Sequence, residues 1–473
     1  MSPENFLMMR HELVLTLAFL TILIAEVFTN EDKKEKFRSF GIVLFALVTA
    51  IGMLPAPEGS LFGGMYQAGG TTTLMKNILN IGTLIVLMQS YTWLGRPENR
   101  DKIHEYFLLL ISTLIGMNFM ISAGHFLMFY LGLELATIPL AALAAFERYQ
   151  NRSAEAGIKL ILSSALSSGI LLFGLSMIYG TTGSLYFPEV ASRVAAMPLT
   201  LLGFIFFFSG MAFKMSLVPF HLWTADVYEG APVNISSFLS VISKGAAAFI
   251  FIIILFNVFP VIIHTWERII WVIAVLTITI GNLFALRQKN MKRFLAFSSI
   301  AQAGFFLLGF IGGNKLGMTT VIYYALIYIF TNLAAFGIVA LIAEKTGKES
   351  MDDYDGLYKT NPKLSLTMML ALFSLAGIPP VAGFFGKFFL FAAAAEKGFY
   401  VLVAIAVLNT IVALYYYLLV VKAMFINKSE QPIPAFKSDF FSKLGLAICI
   451  AGIVITGFAS GLFEMIRNLS YGI

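Results

Sequence analysis

The chain has 473 residues, of which 59% are hydrophobic and only 12% charged. That mix lies far outside the usual composition of a water-soluble domain, and successive apolar runs of roughly 20 residues are each about long enough to cross a ~30 Å hydrocarbon core. A water-soluble protein is excluded, and the net charge of +6 sits in short loops between apolar runs, the pattern of membrane orientation and not of a nucleic-acid patch.

The first apolar run, Glu12 to Phe28, meets Glu31-Asp32-Lys33-Lys34-Glu35-Lys36 with no small-residue cleavage site after it, so it reads as an uncleaved first span. Helical segments are predicted near 11–29, 39–54, 72–94, 103–122, 124–146, 155–180, 198–224 and 231–258. Six more follow near 264–286, 293–312, 319–343, 364–396, 398–421 and 442–466. The expectation is an all-α integral membrane protein of about fourteen transmembrane helices, with no long soluble insertion. The lone cysteine, Cys449, lies inside an apolar run and can neither close an internal disulfide nor hold an iron–sulfur cluster. Five scattered histidines show no haem or zinc spacing, so no redox centre is expected in this chain.

Basic residues concentrate in the loops after segments one, three, five, nine, eleven and thirteen, for example Arg96, Arg100 and Lys102, or Arg287, Lys289, Lys292 and Arg293. Loops after even-numbered segments carry little, chiefly Arg193, Arg268, Lys315 and Lys397. The basic side is expected to be cytoplasmic and both termini periplasmic. The loop after segment seven departs from the pattern, holding Asp226 and Glu229 and no basic residue.

Two segments look broken. Segment seven reads Lys214-Met215-Ser216-Leu217-Val218-Pro219-Phe220-His221-Leu222-Trp223, and segment twelve Gly377-Ile378-Pro379-Pro380-Val381-Ala382-Gly383-Phe384-Phe385-Gly386-Lys387. Proline removes a backbone donor and clashes with the preceding turn, which predicts an interruption in each. The two breaks are five segments apart, matching two five-helix repeats, segments four to eight and nine to thirteen. An odd number of helices per repeat inverts the second copy, and paired broken helices then point to a transport site at the repeat interface; helix-breaking prolines are also common in membrane proteins without that meaning. The implied organisation is 1–102 for the first three helices, 103–258 and 259–421 for the repeats, and 422–473 for a last loop and helix.

Most basic residues fall in loops or at helix ends. Lys214, Lys244 and Lys387 do not, and Lys159 lies nearer an end. Glu134 is the clearest intramembrane acid, about ten residues from either end of segment five and so near mid-bilayer at 1.5 Å per residue. Each such residue costs about 3 kcal/mol on insertion scales. Four would cost on the order of 12 kcal/mol, comparable to a domain's whole stability, unless they pair or meet water. The functional reading is a proton relay. Desolvation disfavours a lysine's charged form and an adjacent carboxylate restores it; at ~4 Å and an effective dielectric near 20 the pair is worth about 4 kcal/mol. Moving Glu134 relative to Lys214 would then switch that lysine between holding and releasing a proton, with Lys244 and Lys387 continuing the path. Ser298, Ser299, Gln302 and Thr331 would hold connecting waters, and His221 is either a relay member or a capping donor. The alternative is a set of structural interhelical pairs, or, as for Lys159, snorkelling lysines.

The run from Lys214 to Pro232, with its Asp226-Val227-Tyr228-Glu229-Gly230-Ala231-Pro232 continuation, resembles the subunit N family of the proton-pumping NADH–quinone oxidoreductase, respiratory complex I. Phe294-Leu295-Ala296-Phe297-Ser298-Ser299-Ile300-Ala301-Gln302-Ala303-Gly304 and the stretch ending at Lys387 support it, and the resemblance covers nearly the whole chain. It implies a membrane-arm subunit with a central row of ionisable residues: Glu134 and Lys214 as a coupled pair, Lys244 as the central lysine and Lys387 as the exit lysine. Gln302 stands where several relatives have histidine, so an amide replaces a titratable imidazole there. The resemblance also implies that NADH, FMN, iron–sulfur clusters and quinone belong to other subunits, so that the quinone pool acts on this chain only indirectly. The implied partners are the small core membrane subunits, the sister antiporter-like subunit and the lipid bilayer of a bacterial inner membrane, with no nucleic acid. A chain of a multi-subunit sodium–proton antiporter shares the fold and the buried lysines and is the second reading; a membrane scaffold is the third.

Overall fold

The computed structural model describes residues 3–28, 34–313 and 315–469; Glu31, Asp32 and Lys33 of the first loop lie outside them. Helical structure covers every predicted segment, and among the described residues eleven helices are long and apolar enough to cross a membrane. Several run past their apolar stretch. Lys34–Gly52 begins five residues earlier than predicted, because its charged first turn continues the helix beyond the apolar core. Asn151–Thr182 and Lys315–Thr346 each reach 32 residues.

Burial sorts the helices into layers. Val233–Asn257, Met291–Ile311 and Lys315–Thr346 are enclosed almost completely, whereas Arg10–Phe28 and Tyr400–Phe425 bury only about a third of their length. The outer helices turn large apolar side chains outwards, such as Leu17, Leu166 and Leu408. In lipid that exposure carries no hydrophobic penalty, so close approach depends on small residues at the contacts. Gly116 and Gly132 show this: a Cβ on Gly116 would lie 2.4 Å from the Ala136 nitrogen, and one on Gly132 2.6 Å from the Met120 nitrogen. Lys315–Thr346 is the central post, packed by Gly70–Gln89, Pro362–Ala376, Ala382–Glu396 and Phe440–Phe458.

The predicted interruptions are present. Segment seven splits into Pro198–Lys214 and Leu222–Gly230, and segment twelve into Pro362–Ala376 and Ala382–Glu396; the Val218–Pro219 and Pro379–Pro380 peptides are cis. At the second break Gly377 takes φ +84°, a left-handed conformation that glycine adopts without penalty. Two further irregularities were not predicted. Segment five is cut into Phe126–Leu135 and Ile138–Ala144, because Pro139 has no N–H to donate to the Leu135 carbonyl. Segment eight contains a π-helical turn, Leu239–Ser243, just before Lys244. A short hairpin, Gly59–Leu61 paired with Tyr66–Ala68, also appears between segments two and three; strands of three residues carry too little alternation to be read from sequence.

Candidate functional site

Each irregularity sits beside an ionisable side chain. Glu134 occupies the last turn of Phe126–Leu135, against the break at Ala136 and Thr137, and its Oε1 is buried with no hydrogen-bond partner among the described residues. Lys214 ends the first half of segment seven and is 8% exposed. Its ammonium donates to Thr137 Oγ1 at 2.6 Å, and Thr137 in turn donates to the Leu133 carbonyl at 2.6 Å. Glu134 and Lys214 thus face each other across the segment-five break within electrostatic reach, but they form no ion pair; a threonine hydroxyl takes the contact that sequence reasoning gave to the carboxylate. A cavity of about 10 Å³ beside them is lined by Thr137, Ser164, Ser167, Ser168 and Lys214, roughly the room that one water requires.

Lys244 follows the π-turn of segment eight and is 2% exposed. Its ammonium donates to Ser299 Oγ and lies 5.5 Å from the Tyr228 ring centre. Ser298, the next residue, bonds Tyr417 Oη at 2.6 Å. Gln302, one turn on, donates at 3.3 Å both to Tyr417 Oη and to the Leu375 carbonyl, and accepts from the Tyr324 hydroxyl. The Leu375 carbonyl also accepts from Lys387 at 2.8 Å, with Ala376 O at 3.3 Å. From Lys244 to Lys387 the polar groups therefore form one almost continuous chain: Ser299 and Ser298 on Met291–Ile311, Tyr417 on Tyr400–Phe425, Gln302, and the end of Pro362–Ala376. Ser298 and Gln302 each bond Tyr417 directly, while Ser299 and Ser298 are joined only as neighbours in sequence. Thr331 lies beside this chain and is bonded at 2.9 Å to Ser374, which also accepts from the Gly383 nitrogen.

Each break has a lysine near the C-terminal end of its first half-helix: Lys214 is the last residue there, with its ammonium on Thr137, and Lys387 reaches from the second half-helix to the last carbonyls of the first. Those ends carry unsatisfied carbonyls and partial negative charge, which favour a cation by ~0.3–1 kcal/mol, and up to ~2 in partly buried geometry. Between Lys214 and Lys244 the link is aromatic: Phe213 stacks on Trp223 at 5.2 Å, Trp223 meets Tyr228, and Tyr228 faces Lys244. His221 precedes the second half-helix, 8% exposed, its Nδ1 buried without a partner among the described residues.

Lys159 is placed elsewhere. Its side chain is 41% exposed and pairs with Glu155 at 2.7 Å and Asp226 at 2.8 Å, while Arg293 pairs with Asp226 and Glu229, each at 2.8 Å. The acidic exception in the charge pattern is thereby explained: Asp226 and Glu229 belong to the Leu222–Gly230 helix and are neutralised by bases from segments six and ten. Sequence reasoning missed Thr137, Tyr228, Tyr324, Tyr417 and Ser374, since a threonine or tyrosine in an apolar run carries no signal until its neighbours are known. It also missed a buried lysine, Lys76, taken as lying at a helix end.

The family described as NADH:quinone oxidoreductase/Mrp antiporter, TM, matches residues 123–413. A protein named NADH-quinone oxidoreductase subunit N from Phocaeicola vulgatus is 51% identical over 469 residues, 99% of each chain. One of the same name from Azobacteroides pseudotrichonymphae is 48% identical over 477 aligned residues, 100% of this chain and 99% of the other. Among solved structures, a chain of respiratory complex I from Thermus thermophilus superposes with a TM-score of 0.79 at 28% identity, covering 96% of this chain and 98% of that one. A chain of the Mrp complex from a Dietzia species gives a TM-score of 0.83 at 20% identity, covering 99% and 97%, a likeness of fold alone. The chain belongs to the subunit N family of NADH-quinone oxidoreductases, within the wider NADH:quinone oxidoreductase/Mrp antiporter transmembrane family.

Proposed function

We propose that this chain is a proton-translocating subunit of the membrane arm of an NADH-quinone oxidoreductase, and that protons cross it along the row Glu134, Lys214, Lys244 and Lys387. The observation that carries the reading is the row of buried polar contacts between two lysines: Lys244 bonds Ser299, and from the adjacent Ser298 hydrogen bonds run through Tyr417 and Gln302 to the Leu375 carbonyl, which Lys387 also contacts. Buried ammonium groups are costly in lipid and mark ion paths when they face a helix bundle's interior. The hydroxyls can both give and take a proton, whereas the Gln302 amide and the Leu375 carbonyl position the path, and water would carry the proton past them. Thr137 holds Lys214 in place while Glu134, one turn away and unpartnered at Oε1, acts on it through space; a shift of either half-helix changes that coupling.

Residues 103–258 and 259–421 would be the two inverted halves, with the segment-seven and segment-twelve breaks in corresponding places, and residues 1–102 and 422–473 flanking them. The basic loops would face the cytoplasm of a bacterium and the termini its periplasm. NADH, FMN, iron–sulfur clusters and quinone would act in other subunits, and the small core subunits and the sister antiporter-like subunit would be the neighbours. The sodium–proton antiporter reading is weaker, since the relatives near 50% identity carry the subunit N name and the Mrp likeness extends to fold only.

The test is Gln302→Leu, which removes the amide linking Tyr417 to the Leu375 carbonyl and leaves every charge in place. In membrane vesicles with assembly checked in parallel, proton pumping and NADH–quinone turnover should fall together in a fully assembled complex. Pumping at the wild-type rate would refute the chain as the route.

A further inference from the structure

The proposed row leaves one intramembrane ion pair unused. Lys76, on Gly70–Gln89, and Glu12, on Arg10–Phe28, are each 2% exposed and meet at 2.6 Å. Tyr66, from the hairpin, is fully buried between them: its hydroxyl accepts from Lys76 at 2.8 Å and donates to Glu12 Oε2 at 3.0 Å. The hairpin is fixed over this cluster by pairing of Tyr66 with Ala123 and by the Gln67 nitrogen on the Ser122 carbonyl at 2.7 Å.

Two further buried polar residues lie deeper on the helices that carry this cluster. Asn80 lies one helical turn below Lys76 and on the same face, and Asn118 lies one turn from Ser122 on the neighbouring helix, Ile103–Ile121. Both asparagines are fully buried, and both polar atoms of each have no hydrogen-bond partner among the described residues. The two helices run antiparallel, tied at the far end by Ser90 and Tyr106 at 2.8 Å. Counted from that tie at 1.5 Å per residue, Asn80 and Asn118 come to about 15 and 18 Å, nearly the same depth. A buried polar atom left unpaired is costly, and water reaching both amides would pair all four. The same Gly70–Gln89 helix packs on the segment-eight helix beside Lys244: Cβ atoms on Gly245 and Gly82 would meet Met75 at 3.3 Å and Ile242 at 3.0 Å.

We propose that Glu12, Lys76 and Tyr66 form a second proton-exchanging centre, continued inwards by a water-bridged seam between Asn80 and Asn118. It lies at the hairpin face, the side opposite the basic loops, and it rests on the relay reading above. The exchange needs no co-reactant. A proton passes from Lys76 Nζ to Glu12 Oε1 across the 2.6 Å bond, leaving a neutral amine and a neutral carboxylic acid, and the acid hands it to water. The other assignment is a purely structural pair that ties the first helix to the third.

Arginine separates the two, because it keeps the charge and the pairing but does not release a proton. In the intact complex in vesicles, Lys76→Arg should assemble fully and pump fewer protons per NADH oxidised; wild-type pumping would overturn the proposal. If Lys76→Arg fails to assemble, the neutral double variant Glu12→Gln with Lys76→Met gives the same reading, since a buried pair replaced as a pair is often tolerated. Should neither assemble, imaging of the wild-type complex at a resolution that shows water decides: water between Asn80 and Asn118 supports the seam, and a dry seam overturns it. Lys214→Ala in the same vesicles distinguishes the failures. If it abolishes pumping while the Lys76 variants do not, only the second centre falls; if it pumps normally, the relay itself falls.

Discussion

Replacing Lys244 by methionine separates a functional lysine from a structural one, because one role predicts lost pumping at nearly unchanged stability and the other lost stability. An ammonium at mid-membrane costs about 3 kcal/mol on insertion scales. Against that stand a charge-assisted hydrogen bond to Ser299, worth about 1.5–3 kcal/mol, and the cation–π contact with Tyr228 at 5.5 Å, worth about 0.5–2. These sums nearly cancel, so Lys244→Met should change the subunit's stability by no more than about 2 kcal/mol in either direction. In a protein of this size that amounts to a few degrees in Tm at most. Methionine also fills a similar volume with a flexible apolar chain. The account predicts normal complex content, a melting temperature close to wild type, and loss of proton pumping, with all three measured on one vesicle preparation. It is refuted if complex content collapses while the remaining complexes each pump at the wild-type rate, since Lys244 would then be holding helices together.

Three other outcomes follow from particular contacts. Tyr417→Phe removes the hydroxyl shared by Ser298 and Gln302, and should reduce pumping in vesicles while leaving complex content on native gels unchanged. Gly383→Val should prevent stable folding of segment twelve, because even a Cβ there would lie 1.7 Å from the Ser374 carbonyl; immunoblots should show the subunit missing from the membrane. Lys159→Gln breaks ion pairs whose side chains are 38–61% exposed. Exposed pairs contribute about 0–1 kcal/mol, so the melting temperature should stay within a few degrees of wild type.

The helices and the two long breaks were legible because their signals are local: apolar length for a span, and proline with glycine for an interruption. Pro139 was equally visible, yet the segment-five break passed unnoticed because the apolar run continues through it on both sides. The row of lysines was legible because a charge in an apolar run stands out against about 20 silent neighbours. Lys76 escaped for the complementary reason. Its predicted segment began only four residues earlier, so it looked like an end residue; the first helical turns here are roofed by the hairpin, whose pairing depends on residues on both sides of its loop. Glu134 and Lys214 lie within electrostatic reach but make no direct contact; the ammonium's partner is Thr137, which no spacing encodes. Tyr417 contributes the middle of the row of polar contacts from a helix more than one hundred residues beyond Ser298, and only the fold brings them together.

The central claim, that the buried row carries protons, is tested most directly at Lys214, which stands at the first break with Thr137 as its hydrogen-bond partner. The measurement is proton pumping alongside NADH–quinone turnover in vesicles carrying Lys214→Ala, with assembly quantified in the same preparation. The account predicts an assembled complex in which pumping and turnover fall together. Wild-type values of both would make Lys214 a structural residue and contradict the relay, leaving the fold as described.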